Sequence, residues 1–346
     1  MTSPPAEYGP QPELTDGVVV LRPWRDEDID RAVEGHDEEI AHWFGTPADT
    51  GSYDQHKQAV ESWRAAYAGG RSMVGFVVEH EGEVVGSVEV RDLGKRTGRL
   101  SWTLYAGHRG QGHATRAVRL LVDYAIDALD LRRVEAEVEP GNQAAMRVAT
   151  RAGLRREGVK RVVPGTGDRP DATEYVTYAR LASDPPVTDA EGFRALLNSF
   201  LPRKRAIAQM LMRDHDDRVL LCRLTYKQDW DLPGGVVEVH ESPQRAVSRE
   251  LEEELALDLA AGPLLLTDWL PSWSGWDDAL CLVFDGGVHD ASLVDRIVAQ
   301  PREIRSAQFC TLEEVREHCA DFTARRVEAA LANVAGGGPS YTESGR

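Results

Sequence analysis

Positive charge is scarce in this sequence. Lysine and arginine number 40 against 57 aspartates and glutamates, a formal net charge of −17. A nucleic-acid partner needs a basic footprint, so none is expected. No run of about 18 apolar residues occurs, so neither a membrane span nor a membrane partner is expected. The opening MTSPPAEYGPQPEL lacks a basic segment followed by an apolar one, so it does not read as a secretory signal. Cysteine occurs only as Cys222, Cys281, Cys310 and Cys319, scattered and without metal-ligand spacing. Free thiols in a reducing cytoplasm are the expectation. There is no internal repeat.

What is present suffices for two packed cores: 346 residues, 42% hydrophobic. The sharpest break is the stretch from Ala182 to Asp189, with Pro185 and Pro186 among small and acidic residues. The division read from the sequence is a disordered lead over 1–13, a first domain over 14–182, a linker over 183–200, a second domain over 201–333 and a flexible tail over 334–346. A short helix from Glu191 to Phe200 is compatible with the linker. Strands and helices alternate in a mixed order in the first block, which indicates α+β layers around one sheet.

The second block holds GGVVEVHESPQRAVSRELEEEL, from Gly234 to Leu255. It follows an expected strand, Asp229 to Leu232, that stops at Pro233. Ser242 and Pro243 make a good helix start, serine as cap and proline in the first turn. At about 100° per residue, Glu250, Glu253 and Glu254 fall in one sector and Glu252 points nearly the other way. Val247, Leu251 and Leu255 form the neighbouring apolar stripe. Like charges at i,i+4 cost about 0.2–0.5 kcal/mol per pair, more when buried. A divalent cation offsets this, and magnesium favours carboxylate oxygens, water and substrate phosphates.

This stretch resembles the Nudix box, G-x5-E-x7-R-E-U-x-E-E-x-G-U, through Gly235, Glu241, Arg249, Glu250, Leu251, Glu253, Glu254 and Leu257. The resemblance covers about residues 201–333. It implies an α/β/α sandwich that hydrolyses a nucleoside-diphosphate-linked (pyrophosphate) substrate with Mg2+ or Mn2+. It implies metal binding by Glu250, Glu253 and Glu254, with the Gly234 carbonyl completing the site. Glu241 and Arg249 are implied to form an orienting ion pair, and Glu250 is a candidate general base, although a glutamate outside the box can serve. Ala256 stands where the family has glycine. If that residue must be left-handed, alanine costs roughly 1 kcal/mol. Trp230, just before the loop, is either a base-stacking residue or plain core.

In the first block, HRGQGHAT (His108 to Thr115) lies between a strand and an amphipathic helix carrying Val118, Leu121, Val122 and Ala125. Glycines there let backbone N–H groups and the helix dipole meet an anion. The turn resembles the acetyl-CoA pyrophosphate loop of the GNAT N-acetyltransferases, R/Q-x-x-G-x-G/A, through Arg109, Gly112 and Ala114. The segment Glu139 to Ala145 and the pair Gly153-Leu154 add to the match. The opening VVLRPWRDEDID is typical of the branch that includes ribosomal-protein N-acetyltransferases. The resemblance covers about residues 14–182 and implies a mixed central sheet flanked by helices. Implied acetyl-CoA contacts are Leu104, Arg109, Gly110, Gln111, Gly112, His113, Ala114 and Thr115, with Asn142 on the CoA arm. The acceptor is implied to be an amine, a protein N-terminus or a small molecule.

The catalytic positions of that family are altered here. Arg99 replaces a frequent glutamate base, Ala149 a tyrosine acid and Ala145 a serine. Glu89, Glu135, Glu137 and His113 are the available alternatives. The sequence therefore supports a bifunctional cytoplasmic enzyme. The rival reading is an active hydrolase whose first domain senses acetyl-CoA without transferring the acetyl group.

Overall fold

The protein is described from a computed structural model, over residues 10–45, 52–163, 172–273 and 275–346. The chain divides into two compact units, Met1–Leu201 and Pro202–Arg346. The mixed α+β architecture expected of each block is present.

The first unit is built on an eight-stranded sheet. In spatial order its strands are Leu14–Thr15, Val20–Arg22, Met73–His80, Glu83–Asp92, Thr97–Leu104, Arg133–Val138, Glu174–Leu181 and Arg155–Arg161. All neighbours run antiparallel except Thr97–Leu104 and Arg133–Val138. That parallel pair is joined only where Thr97, Gly98 and Arg99 face Arg133, Val134 and Glu135. Beyond Arg99 the two strands are not paired, so the sheet opens. The helix His113–Asp127 covers one face, burying Ala117, Val118, Leu121, Val122 and Ala125 against strand residues such as Phe76, Val88 and Leu100.

The polar stretch after the opening strand forms two helices, Asp28–Gly35 and Glu38–Phe44. Asp37 separates them, since its side chain caps the second by accepting from the Ile40 N–H. They and the helix Tyr53–Ala68 build a second, smaller core around Trp24, Ile29, Val60 and Tyr105. Arg22 and Asp28, both buried, fasten the entering strand to the first of these helices through two hydrogen bonds of 2.7 and 2.8 Å.

The helix Ala190–Phe200, read as part of a linker, belongs to the first unit: Ser199 Oγ accepts from the Arg156 N–H at 3.1 Å. Most of the expected lead lies outside the described residues. Gln11, within it, donates to the Gly75 carbonyl.

The second unit is a seven-stranded mixed sheet. Its main path runs Ile304–Cys310, Val219–Leu224, Arg205–Asp214, Ala279–His289, Leu264–Leu270 and Tyr341–Glu343, with Gly234–Val236 paired to Arg205–Asp214. Helix Pro243–Leu255 covers one core, centred on Met210, Leu220 and Leu251, and helix Asp321–Val334 the other, around Leu211, Leu266 and Val327. Two expectations are corrected. Asp229 to Leu232 contributes only single bridges, Cys222 with Asp231 and Trp230 with Cys319. The strand begins instead at Gly234, which pairs with Gln209.

The tail expected over 334–346 also does not hold as a flexible segment. Tyr341, Thr342 and Glu343 pair in parallel with Thr267, Asp268 and Trp269. Buried Asp268 holds them: one carboxylate oxygen accepts from Thr342 Oγ1 and the Gly345 N–H, each at 2.8 Å, and the other from Arg326 Nε at 2.8 Å. A buried charge that needs partners thus orders the C-terminal residues.

Candidate active sites

In the second unit the helix starts as its sequence indicates, with Ser242 as cap, accepting from the Arg245 N–H, and Pro243 in the first turn. It ends at Ala256, which is left-handed at φ 55°. Val247, Leu251 and Leu255 face the core and Glu252 is exposed.

The three metal-ligand candidates separate. Glu254 is only 6% exposed, Glu250 is half-buried, and the Glu253 side chain is 58% exposed. Arg249 causes the separation. It donates through Nε and Nη2 to the two oxygens of Glu241, both at 3.0 Å, and through Nη1 to Glu253 at 2.9 Å and Glu250 at 3.1 Å. Glu241 is held below the usual carboxylate range by Arg249.

The partner that joins Glu254 is Glu303, which sequence reading did not single out. The loop from Val298 to Glu303 docks over the end of the helix: Val298 N–H donates to the Leu255 carbonyl and Gln300 N–H to the Glu254 carbonyl. Glu303 is thereby brought beside the Glu254 carboxyl. Burial and the charges of Glu250 and Glu303 push Glu254 up to about 8, against a pull downward from the Gly234 amide. Glu250 is raised as well, by burial and by Glu253 and Glu303, with Arg249 opposing.

Gly235 leaves room for the Glu250 carboxylate in this packing. A β-carbon there would sit 2.5 Å from the Glu250 carboxyl carbon. At Gly234, φ is +135° and a β-carbon would meet the Ala208 carbonyl oxygen.

Among the described residues, no three His, Cys, Asp or Glu side chains are gathered closely enough to enclose a metal ion as they stand. The donor set is nevertheless suited to a hard cation. It is all oxygen, and burial together with neighbouring carboxylates raises both Glu254 and Glu250, a cost that a bound cation would relieve. Trp230 is partly buried in the second core, and one face of its indole stacks on His318 at 4.7 Å.

In the first unit a cleft of about 450 Å³ lies at the opening of the sheet. Leu104, Arg109, Gly110, Gly112, His113, Ala114, Thr115 and Asn142 all line it, and Gln111 does not. Gly110 and Gly112 have φ of +77° and +90°, and nothing stands within 4 Å of a β-carbon at either. The left-handed turns and the bare backbone leave room for a bulky anion against the start of helix His113–Asp127. This cradle fits the pyrophosphate of acetyl-CoA.

Not every side chain of the loop faces a ligand. Arg109 is committed to protein, donating to the Leu104 carbonyl, Asp37 and Glu39. Asn142 caps helix Gln143–Arg151 by accepting from the Ala145 N–H at 2.9 Å. His113 packs on His80 at 4.2 Å, and burial and His80 lower its pKa.

The candidate bases divide by environment. Arg99 lies beside Glu135 and Glu137, at 3.8 and 3.5 Å, and Glu137 also pairs with Lys160. Glu89 instead lines a second cavity, of about 500 Å³, which shares Ile40, Phe44, Trp102 and Thr103 with the cleft. Burial raises its pKa, opposed by Arg91 and by a hydrogen bond from Trp63.

Family comparison defines the class. The chain carries an acetyltransferase (GNAT) domain over residues 19–155, followed by a NUDIX domain over residues 202–331. Both are enzyme domains.

Among curated proteins the first unit is similar to the probable N-acetyltransferase YjcK of Bacillus subtilis, 37% identical over 90 residues, covering 25% of this chain and 50% of that protein. It is also similar to the spermidine N(1)-acetyltransferase of Escherichia coli K12, 27% identical over 149 residues, covering 40% of this chain and 74% of that protein. The chain thus spans about half the length of YjcK. Among solved structures, Mycobacterium smegmatis RimJ in complex with CoA-disulfide is 24% identical, with a TM-score of 0.44, covering 54% of this chain and 92% of that one. Among the described residues, no helix is long and apolar enough to cross a membrane.

Proposed function

We propose that the protein is a bifunctional cytoplasmic enzyme. Its first unit transfers an acetyl group from acetyl-CoA to a primary amine, and its second hydrolyses a nucleoside-diphosphate-linked substrate with Mg2+ or Mn2+. The observation that carries the hydrolase reading is the meeting of Glu250, Glu254 and Glu303 beside Gly234. These carboxylates and the Gly234 carbonyl would hold the cation, with Glu253 kept nearby on Arg249. When bound, the cation neutralises pyrophosphate oxygens and lowers the pKa of a water. Glu241 positions Arg249, and Arg249 fixes Glu250. Glu250 and Glu303 are the candidate general bases.

In the first unit the cleft holds the nucleotide arm of acetyl-CoA against Gly110, Gly112 and the helix start, and the coenzyme supplies a reactive thioester. Glu89 is the carboxylate on the acceptor side. Burial raises its pKa, which makes it a stronger base toward an ammonium group than an exposed carboxylate.

The rival reading, a sensor without transfer, draws support from Arg99, Ala149 and Ala145. One experiment separates them. The full chain is given acetyl-CoA with a panel of primary amines, and thiol release is followed beside calorimetric acetyl-CoA binding. Binding and release together support the bifunctional reading, and binding without release for every amine supports the sensor. The hydrolase half is tested by product analysis of pyrophosphate-containing nucleotides with magnesium; no turnover across nucleotide sugars, dinucleotides and triphosphates rejects it.

A further inference from the structure

The cavity that Glu89 lines is an unusual piece of the first unit. Its walls are rich in rings: Phe44, Trp24, Trp63, Trp102 and Tyr105. Trp24 and Trp63 lie 5.4 Å apart at 32°. The sheet is shaped to admit them. Gly75, Glu89 and Ser101 are direct cross-strand partners, so they share one face of the sheet. A β-carbon at Gly75 would come within 2.9 Å of the Trp63 ring, so the glycine lets the indole lie beside Glu89.

Two polar atoms of this wall are unsatisfied. Trp24 Nε1 and His36 Nε2 are buried with no hydrogen-bond partner among the described residues. Buried donors and acceptors in proteins are nearly always paired, so these two call for a ligand or water atom. Among the described residues, Glu89 is the only acidic one lining the cavity, its side chain 21% exposed, with Arg91 3.8 Å away.

We propose that this cavity binds the acetyl acceptor, and that the acceptor is a small primary amine on an aromatic body that also carries a hydrogen-bonding oxygen. The ammonium pairs with Glu89, the ring packs among Trp24, Trp63 and Trp102, and the oxygen accepts from the Trp24 indole N–H. This rests on the acetyl-transfer reading and names its substrate class. Aromatic walls suit both an aromatic body and an adjacent ammonium. A polyamine suits the site poorly, because a second ammonium would be desolvated with no second carboxylate to meet it. The size is that of a small-molecule pocket.

The test uses the full chain without acetyl-CoA. Phenylalaninamide, phenethylamine, spermidine and an alanine-initiated hexapeptide are each titrated by calorimetry. Phenylalaninamide is expected to bind saturably, about 10-fold or more tighter than spermidine or the hexapeptide. Glu89→Gln should weaken both aromatic amines. Trp24→Phe keeps a ring but removes the N–H, so it should weaken phenylalaninamide and leave phenethylamine nearly unchanged. Tighter binding of spermidine or of the hexapeptide, or no saturable binding of phenylalaninamide, overturns the substrate class. So does equal loss of both aromatic amines in Trp24→Phe.

A second arm adds acetyl-CoA and follows thiol release. Release with phenylalaninamide supports the acceptor role. Release with spermidine, without phenylalaninamide binding, overturns the class and keeps acetyl transfer. Phenylalaninamide binding without thiol release overturns acetyl transfer, and with it the acceptor role, while the ligand site stands.

Discussion

Arg249 grips Glu241 at both oxygens, Nε to Oε1 and Nη2 to Oε2, each at 3.0 Å. The same guanidinium uses its remaining nitrogen to hold Glu250 and Glu253. One side chain thereby sets the direction of three carboxylates. Lysine cannot reproduce this, because it offers a point charge in place of a planar fork. Arg249→Lys is expected to lower pyrophosphate hydrolysis at least 10-fold while the far-UV circular dichroism and the melting of the first unit stay as in the wild type. Hydrolysis at the wild-type rate would reject the positioning role.

Glu254 sits where Glu250 and Glu303 crowd it. Replacing it with glutamine removes one of the repelling charges and keeps the shape. Without divalent cation, Glu254→Gln is expected to melt at or above the wild-type temperature. With magnesium, the wild type should gain stability by mass action and the variant should gain little. Hydrolysis should fall at least 100-fold. Calorimetric melting with and without magnesium checks the first two statements. An equal magnesium-induced shift in both proteins would remove Glu254 from the cation site.

Ala256 ends the helix in the left-handed region, at φ 55° and ψ 33°. A β-carbon there costs about 1 kcal/mol relative to glycine. Ala256→Gly is therefore expected to stabilise the second unit by about 1 kcal/mol, read as a higher denaturation midpoint of its transition, with hydrolysis unchanged. A lower midpoint would contradict the cap assignment.

Gly112 caps the helix His113–Asp127 at φ +90°. The space over its α-carbon opens on the cleft, with nothing within 4 Å. Valine there would strain the backbone and occupy that space. Gly112→Val is expected to weaken acetyl-CoA binding by about 10-fold or more. Isothermal titration checks this, and the melting of the first unit serves as the folding control. Unchanged acetyl-CoA affinity would displace the ligand from this loop.

Asp28 is buried with Arg22. Burial alone would raise its pKa, but the hydrogen bonds from Arg22 and the Arg25 N–H prevail and hold it below the ordinary 3.8. A depressed carboxyl stabilises the fold above its unfolded value and loses that contribution as pH falls through the folded value. Asp28→Asn is expected to cost about 3 kcal/mol at pH 7, because Glu79 still pairs Arg22 at 2.7 Å. The gap between wild type and variant should be full at pH 5 and above and should shrink below pH 4. Urea melts at pH 7, 5 and 3 check both the size and the sign.

Local chemistry was legible in the amino-acid order. The Ser242-Pro243 start, the apolar stripe Val247, Leu251 and Leu255, and the glycines at 110 and 112 each act through neighbours three or four residues away or through their own φ. Spacing alone was therefore enough to find them.

Contacts distant in the chain were not legible. Glu303 lies 49 residues beyond Glu254 and reaches it only because residues 298–303 dock on the end of the helix. Glu253 shares a helix sector with Glu250 and Glu254, yet Arg249 draws it outward, since a guanidinium with five donors outcompetes a regular angular pattern. The C-terminal strand depends on Asp268, a buried carboxylate more than 70 residues away, whose need for partners outweighs the local tendency of Gly336, Gly337 and Gly338 toward a loose chain. Glu89 was one candidate among several until the sheet set it beside Trp63 in a ring-lined cavity. Periodicity specifies which way a residue faces on its own element, and burial, charge pairing and strand register decide what it meets there.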